Sequence, residues 1–436
     1  MFCKPTDFDG KKVTVWGIAR SGAAAARLLC GAFARVTLCD SRPADDLVKT
    51  LWEVADLPCK LSPSTRDLPA DTELLVLSPG VPLDASPVLI AKNRSVPIMG
   101  ELELAYIFNK SNHVCAVTGT NGKTTTTALL HCIFEKYAEK AYGLGNIGLA
   151  WSGAVKEIAE DDFVALEVSS FQLETTVNFK PNVSIMLNIT PDHLDRHHTM
   201  GKYIKAKTRI FANQGPGDTL VYRAEDAELL GPALAKAKCK KVAFSINQPQ
   251  NIFTEDDLQI PGQHNLENAL AASAACLAMG IPANIIKEGI RAFQGVEHRT
   301  EFVAEINGVA YINDSKATNP DSTIKAIASI KCPTVLIAGG CDKKTPFDAL
   351  ASQIVQKNLN AVVLIGETAD IISNALTQAG YNNVHRAASL ERAVKTAAGL
   401  APQGGQVLLS PACASFDMFR DFEERGCEFK RLVGEL

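Results

Sequence analysis

The stretch "HVCAVTGTNGKTTTTALLHCIFEKY" (113–137) decides how the chain is read. Its first part is a β-branched apolar run of the kind that forms a buried strand, and its last part spaces apolar residues as a helix does. Between them lie Gly119, Thr120, Asn121 and Gly122, followed by Lys123, Thr124 and Thr125. A strand, a glycine loop and a helix start in this order make an anion cradle. Glycines let backbone N–H groups turn inward, and the helix N-terminus adds positive potential. Lys123 can then reach the β- and γ-phosphates of a nucleotide, and the Thr124 hydroxyl is placed to ligate Mg2+. One feature departs from the usual spacing: the early glycine of such loops is replaced by Val117, and the extra glycine is Gly119.

Outward from this loop the chain alternates between short apolar runs and helix-compatible segments. Before it come "KVTVWG" (12–17), "RVTLCD" (35–40), "LLVLSPG" (74–80) and "VPIMG" (96–100), up to a polar break at "NKSN" (109–112). After it come "FVALEVSS" (163–170), "VSIMLNIT" (183–190), "TLVYRAED" (219–226) and "KKVAFSI" (240–246), then a long helical stretch and a second break near "FQGVEHRTEFV" (293–303). The last region alternates again, with "GVAYINDS" (308–315), "TVLIAGG" (334–340), "NAVVLIG" (360–366) and "GQVLLSP" (405–411). This pattern predicts α/β architecture in three domains, residues 1–109, 110–297 and 298–436.

Composition narrows the function classes. A net charge of -4 argues against a nucleic-acid surface, which needs a basic field, so an anionic ligand must be held by local cations and backbone amides. The twelve cysteines form no CxxC pair, so neither a zinc site nor a disulfide framework is suggested and a cytoplasmic setting is expected. No apolar run approaches the length of a membrane span.

The first region carries "GIARSG" (17–22), with Gly17, Ala19 and Gly22 at the spacing of a dinucleotide fingerprint and Asp40 ending the next strand. Alanine replaces the middle glycine. Arg20, Ser21, Ser41 and Arg42 are candidate contacts for a pyrophosphate-bearing nucleotide; an NAD-dependent dehydrogenase, or a bare strand-to-helix turn, are the other readings of the same residues. In the central region Glu167, Asp192 and His193 stand at strand ends, where open α/β sheets bind ligands. A carboxylate there can ligate the nucleotide's Mg2+ and an imidazole a second metal. In "TPDHLDRHH" (190–198), His197 and His198 are expected in a solvated loop. In the last region Lys316, Thr318, Lys344 and Ser415 converge on one rim suited to a small polyanion.

"VTGTNGKTTT", "GNIG", "LEVSSFQL", "NITPDHLDRH", "GQHNLENALAA", "VEHRTE", "INDSKATNP" and "SPACASFDMFRDFEERG", in this order over essentially the whole chain, resemble the Mur ligase family. The resemblance implies an N-terminal Rossmann-like domain binding a UDP-linked substrate, a central P-loop ATP-binding domain with a mixed, mainly parallel sheet, and a C-terminal Rossmann-like domain binding an amino acid. Val117 is then what this family's loop carries. The activity implied is ATP-dependent amide formation through an acyl phosphate during peptidoglycan precursor synthesis. Within the family the resemblance is to members that add D-glutamate to UDP-N-acetylmuramoyl-L-alanine, and the absence of "DNPR" separates the chain from members that add diaminopimelate or lysine. A folylpolyglutamate synthetase shares the loop and the chemistry but lacks such a first domain.

Residue by residue, the resemblance implies that Lys123 binds the transferring phosphate and that Thr124 and Glu167 hold a first Mg2+. A second Mg2+ is assigned to His193 and Lys207, with Lys207 in "KYIKAKTRIF" (202–211) at the position of a lysine that relatives carbamylate. ATP contacts extend over Gly119, Thr120, Asn121, Gly122, Thr125, Asn268, Arg299 and Asp314. The UDP-substrate is assigned to Arg20, Ser21, Ser41, Arg42, Gly80, Asn146 and His193, and D-glutamate to Thr318, Lys344, Ser415 and Phe422. A monomer with small-molecule partners only is expected.

Overall fold

A computed structural model describes residues 2–436 apart from 147, 249–250, 261 and 343–344, and without the side chains of Lys49 and Asp195. The chain forms three sheets. The first joins β1 (Lys12–Trp16), β2 (Arg35–Cys39), β3 (Lys60–Ser62), β4 (Leu74–Leu77) and β5 (Ile98–Gly100) in the order β3-β2-β1-β4-β5, every pair parallel. Strand order reverses between β1 and β4, which leaves a crevice beyond their carboxyl ends.

The second sheet joins β6 (His113–Thr118), β7 (Ala141–Gly145), β8 (Phe163–Glu167), β9 (Val183–Met186), β10 (Thr219–Arg223) and β11 (Lys240–Phe244) in the order β11-β10-β9-β6-β8-β7. Its pairs are all parallel, and β6 lies between β8 and β9. The third joins β12 (Glu301–Ile306), β13 (Val309–Asn313), β14 (Thr334–Gly339), β15 (Ala361–Ile365), β16 (Val384–Arg386) and β17 (Gln406–Leu409) in the order β12-β13-β17-β14-β15-β16. The antiparallel pairing expected in the central sheet lies here instead, between β12 and β13. Asn307 and Gly308 turn this hairpin with φ of 53° and 74°, the mirror-image turn that suits the right-handed twist of paired strands.

Buried runs such as "LLVL" in β4 and "AVVLI" in β15 are apolar on both faces because helices cover both faces of a parallel sheet. Two compact units result, Met1–Phe293 and Gln294–Leu436. The first two sheets share one unit because a single apolar core runs through both, including Leu104, Ala105, Trp151 and Phe179. Two buried carboxylates reinforce it. Glu101 accepts from Ser152 N (2.8 Å), and Glu103 accepts from the backbone N–H groups of Val177, Asn178 and Phe179 at 2.8, 2.7 and 3.1 Å.

Candidate active site

Val117 explains the displaced glycine. It is an extended, fully buried strand residue of β6, in register with Glu167 on one side and Ile185 on the other, so its place needs no unusual backbone. The turn begins later. Gly122 has φ of 85°, and a Cβ there would lie 2.2 Å from Asn268 Oδ1; one at Gly119 would lie 2.8 Å from Leu187 Cβ. A side chain at either position would force a neighbour to move, and both backbones, with φ of 154° and 85°, are ones that L side chains rarely adopt. Asn188, after β9, holds the loop from the other side: its Oδ1 accepts from Asn121 N (2.9 Å), its carbonyl from Thr120 N (2.7 Å), and its Nδ2 donates to Asn121 O (3.1 Å). The helix Lys123–Tyr137 is capped by Gly122, which has no side chain to bond its first N–H groups, and has no acidic group in its first turn, so its positive end stays available to an anion.

Two lysines close on this loop. Lys123 Nζ donates to Gly119 O and Thr120 O, both at 2.8 Å, and Lys207 Nζ donates to Gly119 O at 2.7 Å. Lys207 is 1% exposed, its ammonium 4.7 Å from the centre of the Tyr203 ring. Burial, and next the charge of Lys123, push its pKa well below the ordinary lysine value, against the smaller pull of Asp192 and Glu167. Tyr203 in turn shares a hydrogen bond with Thr120 Oγ1 (3.1 Å).

Glu167, at the end of β8, is 2% exposed. Its Oε1 accepts from Asn146 Nδ2 at 2.9 Å, while its Oε2 is buried with no hydrogen-bond partner. A buried carboxylate oxygen left unpaired costs several times what a satisfied one does, unless a cation completes it. The Thr124 hydroxyl, in the first turn of the helix that follows the loop, and this carboxylate oxygen are donors of the kind that Mg2+ takes. Asn146 also lines a cavity of about 720 Å³ at the reversal point of the first sheet.

Arg20, Ser21, Ser41, Arg42 and Gly80 line the same cavity, and so does Arg66, which the sequence reading did not single out. Gly17 (φ 104°) makes the tight turn below it, where a Cβ would lie 2.7 Å from Ser78 Cβ. Asp40 lines the cavity too, but its carboxylate is committed to partners within the chain rather than left for a ribose, as a dehydrogenase would need. It accepts from Ile18 N (2.7 Å), from Arg42 N (2.9 Å) and from the Arg42 guanidinium (2.9 and 3.1 Å), and these partners, opposed by burial, keep its carboxyl below the usual range.

His193 is half exposed, with its Nε2 3.5 Å from Asp192 Oδ2, and is not among the described residues lining the cavity. The expectation for His197 needs correction. His198 is exposed, but His197 is 3% exposed, with Nε2 3.0 Å from Ser170 Oγ and Nδ1 3.3 Å from Glu174 Oε1. The helix Leu194–His197 turns it inward against Phe171 and Tyr203, an outcome of packing that a polar, His-rich string does not announce.

In the second unit, Asp314 follows β13 and is buried. Its Oδ2 accepts from Ser410 Oγ (2.7 Å) and its Oδ1 from Thr300 N (3.2 Å), and burial raises its pKa to about 6. Arg299 precedes it between two residues of positive φ, His298 and Thr300. Thr318 is half buried, Ser415 is buried, and Phe422 opens the helix Phe422–Val433, its carbonyl accepting from Ser315 Oγ at 2.8 Å. Lys344 lies outside the described residues. The group that gathers these strand ends is Arg425, absent from the sequence expectations: 1% exposed, it donates to Ser315 O (2.8 Å), Ser315 Oγ (3.0 Å), Cys413 O (3.2 Å) and Ala414 O (3.3 Å). Its only sequence signal was its place in "SPACASFDMFRDFEERG".

All twelve cysteines are free thiols. Glu297, His298 and Cys427 form a His/Cys/carboxylate group in which Asn313 Nδ2 lies 3.0 Å from His298 Nδ1 and Lys430 pairs with Glu297.

Profiles of known families match three stretches: "Mur ligase MurD-like, N-terminal domain" at residues 11–100, "Mur ligase middle domain" at 117–276 and "Mur ligase, glutamate ligase domain" at 298–413. Among curated proteins, a UDP-N-acetylmuramoylalanine–D-glutamate ligase of Thermoanaerobacter sp. is 44% identical over 99% of both chains. The protein of the same name from Pelotomaculum thermopropionicum is 45% identical, also over 99% of both. Among solved structures, the UDP-N-acetylmuramate–alanine ligase of Thermotoga maritima matches with TM-score 0.62 at 19% identity, covering 97% of this chain and 99% of that one. The MurF ligase of Thermotoga maritima in complex with ADP matches with TM-score 0.58 at 14% identity, covering 92% and 95%. At these identities the structural likeness speaks for the fold.

Proposed function

The chain belongs to the Mur ligase family, and on that premise we propose that it joins D-glutamate to UDP-N-acetylmuramoyl-L-alanine at the expense of ATP, as a step of peptidoglycan precursor synthesis. The observation that carries this reading is Asn146, which lines the arginine-bearing cavity and donates to the carboxylate beside the phosphate loop. A substrate seated in that cavity would run toward the loop, bringing its terminal carboxylate to the ATP γ-phosphate.

A carboxylate is inert to amines until one of its oxygens becomes a leaving group. One carboxylate oxygen attacks the γ-phosphorus, the bond to the β-bridging oxygen breaks, and ADP leaves with an acyl phosphate formed. The D-glutamate amine then attacks the acyl carbon, and the tetrahedral adduct loses phosphate and a proton. Lys123 and the loop amides hold the transferring phosphate, so catalysis is largely positioning and charge neutralisation. Thr124 and Glu167 would hold a Mg2+, and His193 with a carbamylated Lys207 a second; these ions would neutralise the crowded oxygens. Arg299, Asp314 and Asn268 are assigned to ATP. Thr318, Lys344, Ser415 and Phe422 are assigned to D-glutamate, and Arg20, Ser21, Ser41, Arg42, Gly80 and His193 to the nucleotide substrate. In this reading residues 1–109, 110–297 and 298–436 are the three functional domains of a cytoplasmic monomer. No helix among the described residues is long and apolar enough to cross a membrane.

Phosphate release from ATP, compared with D-glutamate, L-glutamate, D-aspartate and no amino acid, tests the reading. Release should require both the nucleotide substrate and D-glutamate; release with another amino acid instead would move the specificity, and none at all would refute the reading.

A further inference from the structure

Arg196 has no part in the function proposed above, yet it connects the cavity wall, a part-buried carboxylate and the short helix Leu194–His197 that follows His193. Its guanidinium donates to Pro79 O (3.1 Å) and Val81 O (3.2 Å), and to Glu174 Oε2 (2.8 Å). It also lies 4.1 Å from the centre of the Phe171 ring. The side chains of Arg196 and Glu174 are each 15% exposed. Pro79 and Val81 line the cavity on either side of Gly80, in the segment that leaves β4 at the reversal point of the first sheet. Beyond Leu77 the strand ladder has ended, so these two carbonyls depend on other donors.

The anchor at the other end is built from neighbours. Glu174 Oε1 lies 3.3 Å from His197 Nδ1, and the His193 carbonyl accepts from Arg196 N (3.2 Å) and His197 N (3.0 Å). One part-buried guanidinium thus links the cavity wall at 79–81 to the short helix Leu194–His197, whose N-cap is His193. The planar fork of arginine can serve two carbonyls and a carboxylate together, whereas an ammonium is a single compact point of charge.

We propose that Arg196 is a positioning residue for the nucleotide substrate: it sets the cavity wall at residues 79–81 in a fixed relation to His193. The inference rests on the function proposed above and adds a determinant of substrate affinity that reaches neither ATP nor D-glutamate.

Calorimetric binding of UDP-N-acetylmuramoyl-L-alanine, and separately of ADP, to the full chain and to its variants tests it. Arg196→Lys should raise Kd for the nucleotide substrate about tenfold and Arg196→Ala further, with Kd for ADP changing less than about twofold. In turnover, KM for the nucleotide substrate should rise by the same factor with kcat falling less than about threefold. Glu174→Gln, which leaves both carbonyl bonds in place, should have a smaller effect, and it keeps the test decisive together with Arg196→Lys if Arg196→Ala does not fold. Equal weakening of both ligands would reduce Arg196 to a general brace, and wild-type substrate affinity in the variants would remove the inference alone. A wild-type chain that binds ADP but not the nucleotide substrate would overturn the proposed function and this inference with it.

Discussion

Lys123 and Lys207, far apart in sequence, donate to the same oxygen, the carbonyl of Gly119, at 2.8 and 2.7 Å. Two full ammonium charges so close together, one of them sealed from water, repel each other. The cheaper arrangement keeps Lys207 neutral, in line with the direction in which burial and Lys123 move its pKa. A neutral amine has the lone pair that carbon dioxide requires. Formation of the N–C bond then releases a proton and leaves an anion where a cation would have been.

The first prediction is therefore that the active enzyme carries this carbamate. Exposure to 13C-bicarbonate should give a carbonyl carbon resonance that is missing in Lys207→Ala, and a short carboxylic acid should restore part of that variant's activity. A resonance of equal strength in Lys207→Ala would dismiss the idea.

Glu167 separates stability from activity. Its buried Oε2 has no partner, so Glu167→Gln removes an uncompensated charge while Oε1 can still accept from Asn146. The thermal midpoint should stay level or rise, while ATP-dependent phosphate release falls about a hundredfold or more. A marked loss of thermal stability would show that the carboxylate is structural.

Glycine is required at position 122 for two reasons, its φ of 85° and the 2.2 Å approach to Asn268 Oδ1. Gly122→Ala should lose about tenfold or more in ADP affinity, since the left-handed backbone alone costs about 1–2 kcal/mol. Gly201→Ala is the contrasting case: it lies in the helix Met200–Thr208, and a Cβ there meets nothing within 4 Å. That variant should bind ADP normally and be slightly more stable. Equal affinities in the two variants would contradict the reading of the loop.

Asp314 should leave a pH signature on the second unit. Burial raises its pKa from 3.8 to about 6, so between these values the folded chain holds a proton that the unfolded chain has released. Stability then falls as pH rises through this window, by about 3 kcal/mol in total, and is flat in this group above it. Urea unfolding of the wild type and Asp314→Asn between pH 4 and 7 should show this slope in the wild type and its absence in the variant. Parallel profiles would mean that Asp314 ionises normally.

Much of the architecture was legible because central strands are continuous apolar runs. β1, β4, β6, β8, β14, β15 and β17 could be read directly from "KVTVW", "LLVL", "HVCAVT", "FVALE", "TVLIAG", "AVVLI" and "QVLL". The strands not foreseen, β3, β7, β12 and β16, are all sheet edges. Edge strands are half exposed, as "KLS" and "VHR" are here, and carry no buried run to betray them. The core shared by the first two sheets was equally hidden, because carboxylates such as Glu101 and Glu103 look like surface charges until their backbone donors are known.

The sequence by itself determined the inventory: a phosphate loop starting at Gly119, a lysine and a threonine at a helix start, acidic and polar residues at strand ends, and three α/β stretches in order. Only the tertiary structure decided which of these groups meet. It paired Lys207 with Lys123 on one carbonyl, committed Asp40 to Arg42 and Ile18, drew His197 out of solvent and set Arg425 among three backbone carbonyls. The physical reason is that local pattern encodes burial and backbone conformation. The partner of a buried polar group is chosen by the approach of segments distant in the chain, where leaving that group unsatisfied costs more than any local preference can offset.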